Sequence, residues 1–301
     1  MLNIFKKKIR IVTHSGRFHA DEAFACATLA LYLNKKGTPY RIIRTRDSGI
    51  IESGDIVLDV GGIYNPEKGR FDHHQNEGAG NRDNGIPFAS FGLIWKHYGV
   101  KVCESDVVAN IIDSKIVQAV DALDNGKQIT NFIIPDVREY NLQDIIDCYL
   151  PKTQDLKDYD KNFSKLVEFA KFILTSEIKK AHFKVESSNK VIEMYQATKD
   201  KRIIFIDGQY SWKNVLNKFP EPLFAIFQSP DGSWGIHAIR DDMNSFENRK
   251  NLPQEWGGLE KEALRKVTGV EDAVFCHRNL FLAVAKSKEG IIQLAELALK
   301  K

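Results

Sequence analysis

The first half of the chain alternates between short apolar runs and longer segments of strong helix formers. Residues 9–13 are mostly β-branched and predict a strand, and residues 20–33 predict a helix with acidic residues in its first turn. Residues 61–87 are rich in glycine and asparagine and predict a loop. Further strands are predicted at 40–45 and 55–60, and further helices at 88–98 and 104–123. This order, with helical crossovers, predicts an α/β layer with a mostly parallel sheet and flanking helices.

The second half of the chain has a different pattern. Residues 139–183 predict helix, interrupted at Pro151, and residues 288–301 predict a final helix. Between them lie five strand-like runs, at 202–206, 223–228, 234–239, 273–276 and 280–285. We therefore expect two domains, an α/β domain with a helical extension at residues 1–185 and a smaller α+β domain at residues 186–301.

The composition excludes several classes of protein. With 301 residues, of which 43% are hydrophobic and 28% charged, the chain is typical of a globular protein and not of a disordered one. Its apolar runs are shorter than the roughly 18 residues of a membrane helix, and the N-terminus lacks the apolar core of a signal peptide. The four cysteines form no CxxC pair, which argues against a disulfide framework or a zinc knuckle. We therefore expect a cytoplasmic protein.

The charge is unevenly distributed along the chain. The net charge of +3 is too small to indicate a nucleic-acid-binding protein by itself. Residues 1–46 contain ten Lys and Arg against two acidic residues, whereas residues 47–150 contain eight against seventeen. The acidic segment is explained either by a solvated surface or by carboxylates that bind divalent cations.

Histidines and carboxylates stand where predicted strands end and helices begin. His14 directly follows the first strand, and His19 and Asp21 begin the next helix. Asp59 ends the strand at 55–60, and a carboxylate at the end of a buried strand needs a positive partner. Ligands gather at the carboxyl ends of strands in open α/β sheets. The alternatives are that Asp21 only caps its helix, that the imidazoles are packed core groups, and that Asp59 faces solvent.

Two further groups of polar residues extend this pattern. Asp72, His73 and His74 are consecutive in a predicted loop, where packing against a core does not require them. The alternative to a functional role is that this loop is merely exposed and polar. Asp72 could orient the neighbouring imidazoles without being a ligand. Asp121 and Asp124 lie one turn apart at the end of a predicted helix, where the helix dipole disfavours acids unless a cation is bound. Either aspartate could be the last ligand, and both could be surface carboxylates.

Taken together, the imidazoles and carboxylates favour a site for two divalent metal ions. Such a site binds a phosphoryl group and lowers the pKa of a water molecule that attacks it. The mixture of oxygen and imidazole ligands favours Mn²⁺, with Mg²⁺, Co²⁺ or Zn²⁺ as alternatives.

The order of these motifs resembles that of the DHH phosphoesterase superfamily. The stretches THSGRFHADEAFAC, DIVLDVGGIYNPEKGRFDHHQ, FASFGLIWKHYG and QAVDALDNG, with a C-terminal stretch from LPQEWGGLEKEALRKVTGVEDAVFCHRN onward, are similar to the melanocyte-proliferating-gene-one (Myg-type) family of metal-dependent exonucleases. The resemblance implies a DHH-like catalytic domain at 1–185 and a substrate-binding domain at 186–301. It implies metal ligands at His14, His19, Asp21, Asp59, His73 and Asp121, with Asp59 bridging the two ions. His19 departs from the pattern, since the superfamily usually has Asp there, one residue nearer to His14.

The resemblance also implies roles in substrate binding and catalysis. His74 is expected to contact the substrate phosphate, with Asp72 beside it as a further catalytic residue. Substrate phosphates are expected to meet His277, Arg278 and Arg240 of the second domain, and Arg46 and Arg44 of the first domain, although each could be an ordinary surface residue. Trp256 could stack on a base, but a packed core position is the simpler interpretation. Residues 77–85 are expected to form a mobile loop near the site.

The leading prediction for function is a metal-dependent phosphodiesterase, a 3′–5′ exonuclease that hydrolyses single-stranded RNA with two metal ions. The direction of cleavage and the RNA preference come from the resemblance alone. One alternative is hydrolysis of small phosphorylated nucleotides or oligonucleotide remnants, and a second is a metal-binding regulatory protein without turnover. Neither the oligomeric state nor a protein partner is predicted.

Overall fold

The structure, a computed structural model, describes residues 7–131, 133–134, 136–242 and 245–301. The chain divides into two compact units, Met1–His182 and Phe183–Lys301. Each unit contains its own five-stranded sheet.

The first unit is built on a mostly parallel sheet. Its strands are β1 (Ile9–Thr13), β2 (Tyr40–Arg44), β3 (Ile56–Leu58), β4 (Tyr64–Asn65) and β5 (Arg70–Phe71). They lie in the order β2-β1-β3-β5-β4, and of these five strands β4 alone runs antiparallel to its neighbour. The predicted α/β class is therefore confirmed. β4 and β5 lie within the predicted loop at 61–87, because a 3₁₀ turn at Pro66–Lys68 folds the chain back on itself.

The helices that the structure describes in this unit, or that begin in it, surround the sheet. They are α1 (Ala20–Lys35), α2 (Ser48–Glu52), α3 (Ser90–Cys103), α4 (Asp106–Ile112), α5 (Gln118–Asp124), α6 (Leu142–Asp147) and α7 (Leu156–Ala197). The helix predicted at 104–123 is divided by a π-helical turn at Asp113–Val117, which lies between α4 and α5. α7 continues beyond its predicted end at residue 183, because its sequence contains neither Gly nor Pro to stop it.

The core of the first unit surrounds α1. The segment Ala20–Ala30 of this helix is buried at every position, including the carboxylate residues Asp21 and Glu22. Small residues such as Ala23 and Ala27 allow neighbouring backbones to approach from several sides. α1 therefore carries two acidic side chains directly into the interior, beside the ends of the parallel strands.

The second unit is an α+β structure, as predicted. Its strands are β6 (Ile203–Ile206), β7 (Phe224–Gln228), β8 (Trp234–Ala238), β9 (Ala273–Cys276) and β10 (Leu282–Ala285), in the order β6-β7-β8-β10-β9. Of these five strands, β6 and β7 pair in parallel and the other neighbours are antiparallel. The helices are α8 (Lys213–Leu216), α9 (Lys261–Thr268) and α10 (Lys288–Lys300). Across the part of the chain that the structure describes, none of the helices combines the length and apolar character needed to cross a membrane.

His237 of β8 is a buried histidine packed among aromatic rings. Its ring centroid lies 5.4 Å from that of Trp212 and 5.3 Å from that of Phe281. Its Nδ1 lies 2.7 Å from the carbonyl oxygen of Ala238. Burial lowers the pKa of His237 from 6.5 to about 4, so the neutral form is the one that fits the fold.

We expect the second unit to lose stability as the pH falls from about 6.5 towards 4. In this range the unfolded chain protonates His237 and the folded chain does not, which corresponds to a loss of roughly 3 kcal/mol in the free energy of unfolding. In His237→Gln this pH-dependent part should disappear, as measured by amide hydrogen exchange of β7 and β8. His182→Gln, in the first unit, is the control. Equal pH dependence in wild type and His237→Gln would contradict the prediction.

Candidate metal centre

A cavity of about 1230 Å³ lies in the first unit at the carboxyl ends of its parallel strands. The residues that follow β1, β2, β3 and β5 all reach it, because parallel strands end at the same edge of the sheet. Of the predicted site residues, the cavity is lined by His14, His19, Arg46, Asp59, Asp72, His73 and His74.

Asp59 lies at the centre of the cluster, directly after β3. Its Oδ2 is 3.1 Å from Nε2 of His14, and its Oδ1 is 3.4 Å from Nε2 of His73. The carboxylate is almost fully buried. Asp59 has a positive φ of 54°, an unfavourable conformation for a residue with a side chain. One carboxylate thus reaches two imidazoles through its two different oxygens.

The first group of candidate ligands surrounds His14. The ligand atoms of His14, His19 and Glu22 all lie within 4.8 Å of one another. Nε2 of His14 is 3.2 Å from Oε1 of Glu22, and both oxygens of Glu22 accept from the backbone N–H of His19. Glu22 was not predicted. Its signal in the sequence was a second acid in the first turn of a helix that is otherwise apolar.

The second group contains Asp21, His73 and Asp124, whose ligand atoms also lie within 4.8 Å of one another. Nε2 of His73 is 3.2 Å from Oδ2 of Asp124. The Asp21 carboxylate also accepts from the first two backbone N–H groups of α3, those of Ser90 at 3.0 Å and Phe91 at 2.7 Å. Asp21 is therefore both a helix-capping residue and a candidate ligand.

Asp121, predicted as a metal ligand, has both of its carboxylate oxygens engaged by protein groups. Its Oδ2 accepts from Arg82 at 2.6 Å, and its Oδ1 accepts from the backbone N–H of Gly92 at 2.9 Å. A Cβ atom at residue 92 would overlap this carboxylate, so α3 approaches Asp121 only because the residue is glycine. Among the described residues, Asp124 and not Asp121 belongs to a group that could hold a metal ion. The sequence left both open, and Arg82 and α3 explain why Asp121 is engaged elsewhere.

Asp72 and His74 form a pair at the edge of the cluster. Nδ1 of His74 is 2.8 Å from Oδ1 of Asp72, and Oδ2 of Asp72 accepts from the N–H of Gly62. Asp72 is buried, whereas the His74 side chain is 61% exposed. Contact with Asp72 outweighs burial and raises the pKa of His74, so its imidazolium form is favoured. The ligand atoms of His74 also lie near those of Asp59 and His73.

The electrostatics of the cluster are dominated by buried carboxylates. Burial by itself lowers the pKa of His14, but Asp59 and Glu22 outweigh it and raise the pKa to about 10. In the same way Asp124 and Asp59 outweigh burial and raise the pKa of His73 to about 11. Burial opposes the Asp59 carboxylate, yet the two imidazoles hold its pKa well below the usual range. The imidazoles thus supply positive charge that a bound cation could supply instead.

The residues present fit a divalent metal ion. Oδ1 of Asp59 and Nε2 of His73 are buried, and neither makes a hydrogen bond of good geometry within the described residues. A buried polar group without such a bond is costly unless another partner satisfies it. A cation between carboxylate oxygens and imidazole nitrogens would satisfy these atoms, and such donors suit Mn²⁺ and related ions.

The predicted substrate-binding residues occupy varied environments. Arg46 lines the cavity, and so does Arg17, which was not predicted. Arg44 is packed between Phe18 and Phe163 and pairs with Asp160, so its guanidinium is engaged in the fold.

Four more of the predicted residues belong to the second unit. Arg240 lies over the ring of Phe246. The ring of His277 packs on Phe281, and Arg278 is exposed. Trp256 is in the core, where a fully buried indole cannot stack on a base.

A mostly parallel α/β sheet whose strand ends bring buried carboxylates and imidazoles together forms a candidate metal centre, an arrangement typical of metal-dependent hydrolases. Residues 10–299 match the family MYG1_exonuc, described as "Uncharacterised protein family (UPF0160)". The chain belongs to this family, which confirms the resemblance found in the sequence and the expectation of an enzyme of the exonuclease class.

Individual relatives are similar over nearly the whole chain. The MYG1 protein of Dictyostelium discoideum is 31% identical, over 95% of this chain and 95% of its own. The MYG1 exonuclease of Rattus norvegicus is 30% identical, over 96% of this chain and 84% of its own. Among solved structures, RecJ from Thermus thermophilus in complex with Mn²⁺ covers 97% of this chain and 52% of its own, with 11% identity and a TM-score of 0.25. A likeness of that size is too weak to argue from.

We expect Asp59→Asn to lower the affinity for Mn²⁺ by at least ~100-fold, since it removes the charge that faces both imidazoles. The variant should keep its fold, because the amide is close in shape to the carboxylate. Calorimetric titration with Mn²⁺ and circular dichroism measure the two properties. Asp106→Asn, at an exposed position of the same unit, is the control. Near-normal Mn²⁺ binding by Asp59→Asn would remove Asp59 from the centre.

Proposed function

We propose that this chain is a phosphodiesterase that uses two divalent metal ions, Mn²⁺ first among them, to hydrolyse single-stranded RNA from the 3′ end. The proposal is carried by the position of Asp59, whose two oxygens face two separate imidazoles. A carboxylate that offers one oxygen to each side is suited to bridge two cations. The ions of a two-metal site bind the oxygens of a phosphoryl group and lower the pKa of the attacking water.

The ligands of the two ions follow from the two groups of the cluster. One ion would be held by His14, His19 and Glu22, and the other by Asp21, His73 and Asp124, with Asp59 shared between them. Glu22 and Asp124 thereby complete the predicted set, and Asp124 stands in the place expected for Asp121.

His74 and Asp72 would act on the substrate. Asp72 fixes the His74 ring through Nδ1 and favours its protonated form. A protonated imidazole exposed at the cavity donates a charge-assisted hydrogen bond to a phosphate oxygen. Arg46 and Arg17 line the same cavity and would bind neighbouring phosphates of the strand.

The single-stranded RNA substrate and the 3′–5′ direction rest on the family resemblance and on relatives named as exonucleases. The alternative of a small nucleotide substrate is favoured by the net charge of +3, which gives little general attraction for a long polymer. A regulatory protein without turnover is disfavoured by the full set of ligands. We also propose that the second unit binds substrate phosphate through His277, Arg278 and Arg240.

The function is tested with Mn²⁺-loaded protein on single-stranded RNA labelled at the 5′ or the 3′ end, beside DNA of the same sequence and a dinucleotide. Stepwise shortening of the 5′-labelled RNA from its 3′ end supports the proposal. Faster turnover of the dinucleotide than of the longer strand favours the small-substrate alternative. Absence of hydrolysis of every substrate would leave the regulatory alternative.

We expect the two adjacent histidines to differ when each is replaced by alanine. His73→Ala should lower Mn²⁺ affinity, because His73 lies between Asp59 and Asp124. His74→Ala should leave Mn²⁺ bound and chiefly lower the rate of hydrolysis, by about 100-fold or more for a lost general-acid or phosphate contact. Metal content and turnover are measured on the same samples. Equal metal loss in both variants would show that both histidines are ligands.

We expect Arg278→Ala to raise KM without changing the Mn²⁺ content. A charge-assisted hydrogen bond to phosphate is worth roughly 1.5–3 kcal/mol, or about one to two orders of magnitude in apparent affinity. Arg202→Ala, which removes another exposed arginine of the same unit, is the matched control. An unchanged KM in Arg278→Ala would exclude this arginine from substrate binding.

A further inference from the structure

A loop outside the ligand set reaches into the interior beside the metal centre. The segment from Gly80 to Phe88 is closed by backbone hydrogen bonds, from the N–H of Phe88 to Gly80 and from the N–H of Arg82 to Ile86. Its Arg82 side chain is only 9% exposed. Part of the glycine-rich loop at 77–85 is thus folded into a turn that directs one arginine inward.

Arg82 joins two carboxylates, that of Asp113 at the start of the π-helical turn and that of Asp121 in α5. One guanidinium nitrogen donates to Oδ2 of Asp121 at 2.6 Å, and another donates to Oδ1 of Asp113 at 3.2 Å. The guanidinium carbon also lies 4.3 Å from the ring centroid of Phe88. π-helical turns recur at functional sites, and here Asp113 begins the turn that leads into α5. Arg82 therefore fixes α5 from outside the helix.

Asp121, held by Arg82, also contacts the first turn of α3. Its second oxygen accepts from the N–H of Gly92, the third residue of α3. Asp21 accepts from the N–H groups of the first two residues, Ser90 and Phe91. The end of one helix thus holds a carboxylate from α1 and a carboxylate from α5, and positive helix ends favour both.

The candidate ligands are attached to these same two helices. Asp21 is itself a candidate ligand, and Asp124 lies one turn beyond Asp121 on α5. Both belong to the group that includes His73. A shift of Asp121 relative to α3 would therefore change the separation between Asp21 and Asp124.

We propose that Arg82 is a positioning residue of the metal centre, which acts through Asp121 and the first turn of α3 to hold Asp124 and Asp21 at the separation that the metal ion needs. Arg82 contacts neither the ligand group nor the reacting atoms in this role. The inference rests on the proposed function only in requiring that the centre binds metal.

The test compares Mn²⁺ affinity, turnover and thermal stability of the full chain in wild type, Arg82→Gln, Asp121→Asn and the double variant. Arg10→Met is the matched control, because Arg10 pairs with Asp55 in the same unit but at the opposite end of β1 from His14. Arg82→Lys, which keeps the charge and loses the paired donors, replaces Arg82→Gln if that variant does not fold.

We expect Arg82→Gln to weaken Mn²⁺ binding by about 10- to 100-fold, as is typical of residues that orient metal ligands, and to lower kcat while KM stays unchanged. Arg10→Met should lower stability and keep the wild-type Mn²⁺ affinity. Arg82 and Asp121 act through the contact between them. The loss of Mn²⁺ affinity in the double variant should therefore be no larger than the larger of the two losses in the single variants.

Four results would overturn the inference. The first is wild-type Mn²⁺ affinity in Arg82→Gln, and the second is an equal loss of Mn²⁺ affinity in Arg10→Met. The third is a raised KM in Arg82→Gln with unchanged Mn²⁺ affinity. The fourth is a double variant in which the losses of the two single variants multiply. A wild-type chain that binds Mn²⁺ but cleaves no nucleic acid would refute the proposed exonuclease, and the titrations would still decide the role of Arg82. A wild-type chain that binds no Mn²⁺ would refute both.

Discussion

Buried negative charge at the ends of the parallel strands is the constraint on which the first unit depends. Asp21, Glu22, Asp59 and Asp121 are all buried, and a buried carboxylate is costly unless partners compensate it. The compensation comes from different sources: backbone N–H groups of α3 for Asp21, His14 for Glu22 and Asp59, and Arg82 for Asp121. The groups that stabilise these charges are also the groups that define the site, so the architecture and the chemistry of this unit cannot be separated.

The arrangement of α1 beside the N-terminus of α3 follows from the need to compensate these buried charges. The segment Ala20–Ala30 of α1 is buried at every position, and its first turn brings two acids inside, where α3 begins. The N-terminus of α3 supplies the donors that Asp21 needs, whereas Glu22 pairs with His14 and accepts from the backbone N–H of His19. Gly92 lacks the side chain that would keep Asp121 away. Packing of the two helices and solvation of the charges thus favour the same arrangement.

Much of the fold could be predicted from the sequence, because periodicity and helix-forming residues are local properties. β1, α1 and the strands of the second unit lie close to their predicted positions. The short strands β4 and β5 were missed, because each has only two residues and depends on its partner. The end of α7 was missed because no residue marks the predicted boundary.

The candidate site, like the fold, was predicted from the sequence only in part. His14 and Asp59 could be placed at this edge of the sheet, since each follows a predicted strand and those strands are parallel, whereas His73 was proposed from the Asp-His-His run in a predicted loop. Asp121 and Asp124 could not be distinguished, because i,i+3 spacing puts both near one face. Contacts with Arg82 and Gly92, which are distant in sequence, separate the two aspartates in the fold. Glu22 and Arg82 were overlooked for a related reason: each looks like an ordinary charged surface residue until the tertiary fold buries it.

The complete burial of Ala20–Ala30 in α1 has a consequence for the chain during its synthesis. α1 ends at Lys35, and α3, its main packing partner, is complete only at Cys103. At translation rates of about 5–20 residues per second, the nascent chain carries α1 without α3 for roughly 3–14 s. During that interval an alanine- and leucine-rich segment is exposed as the ribosome continues. The chain therefore cannot cover this segment with its native partner until α3 has been synthesised.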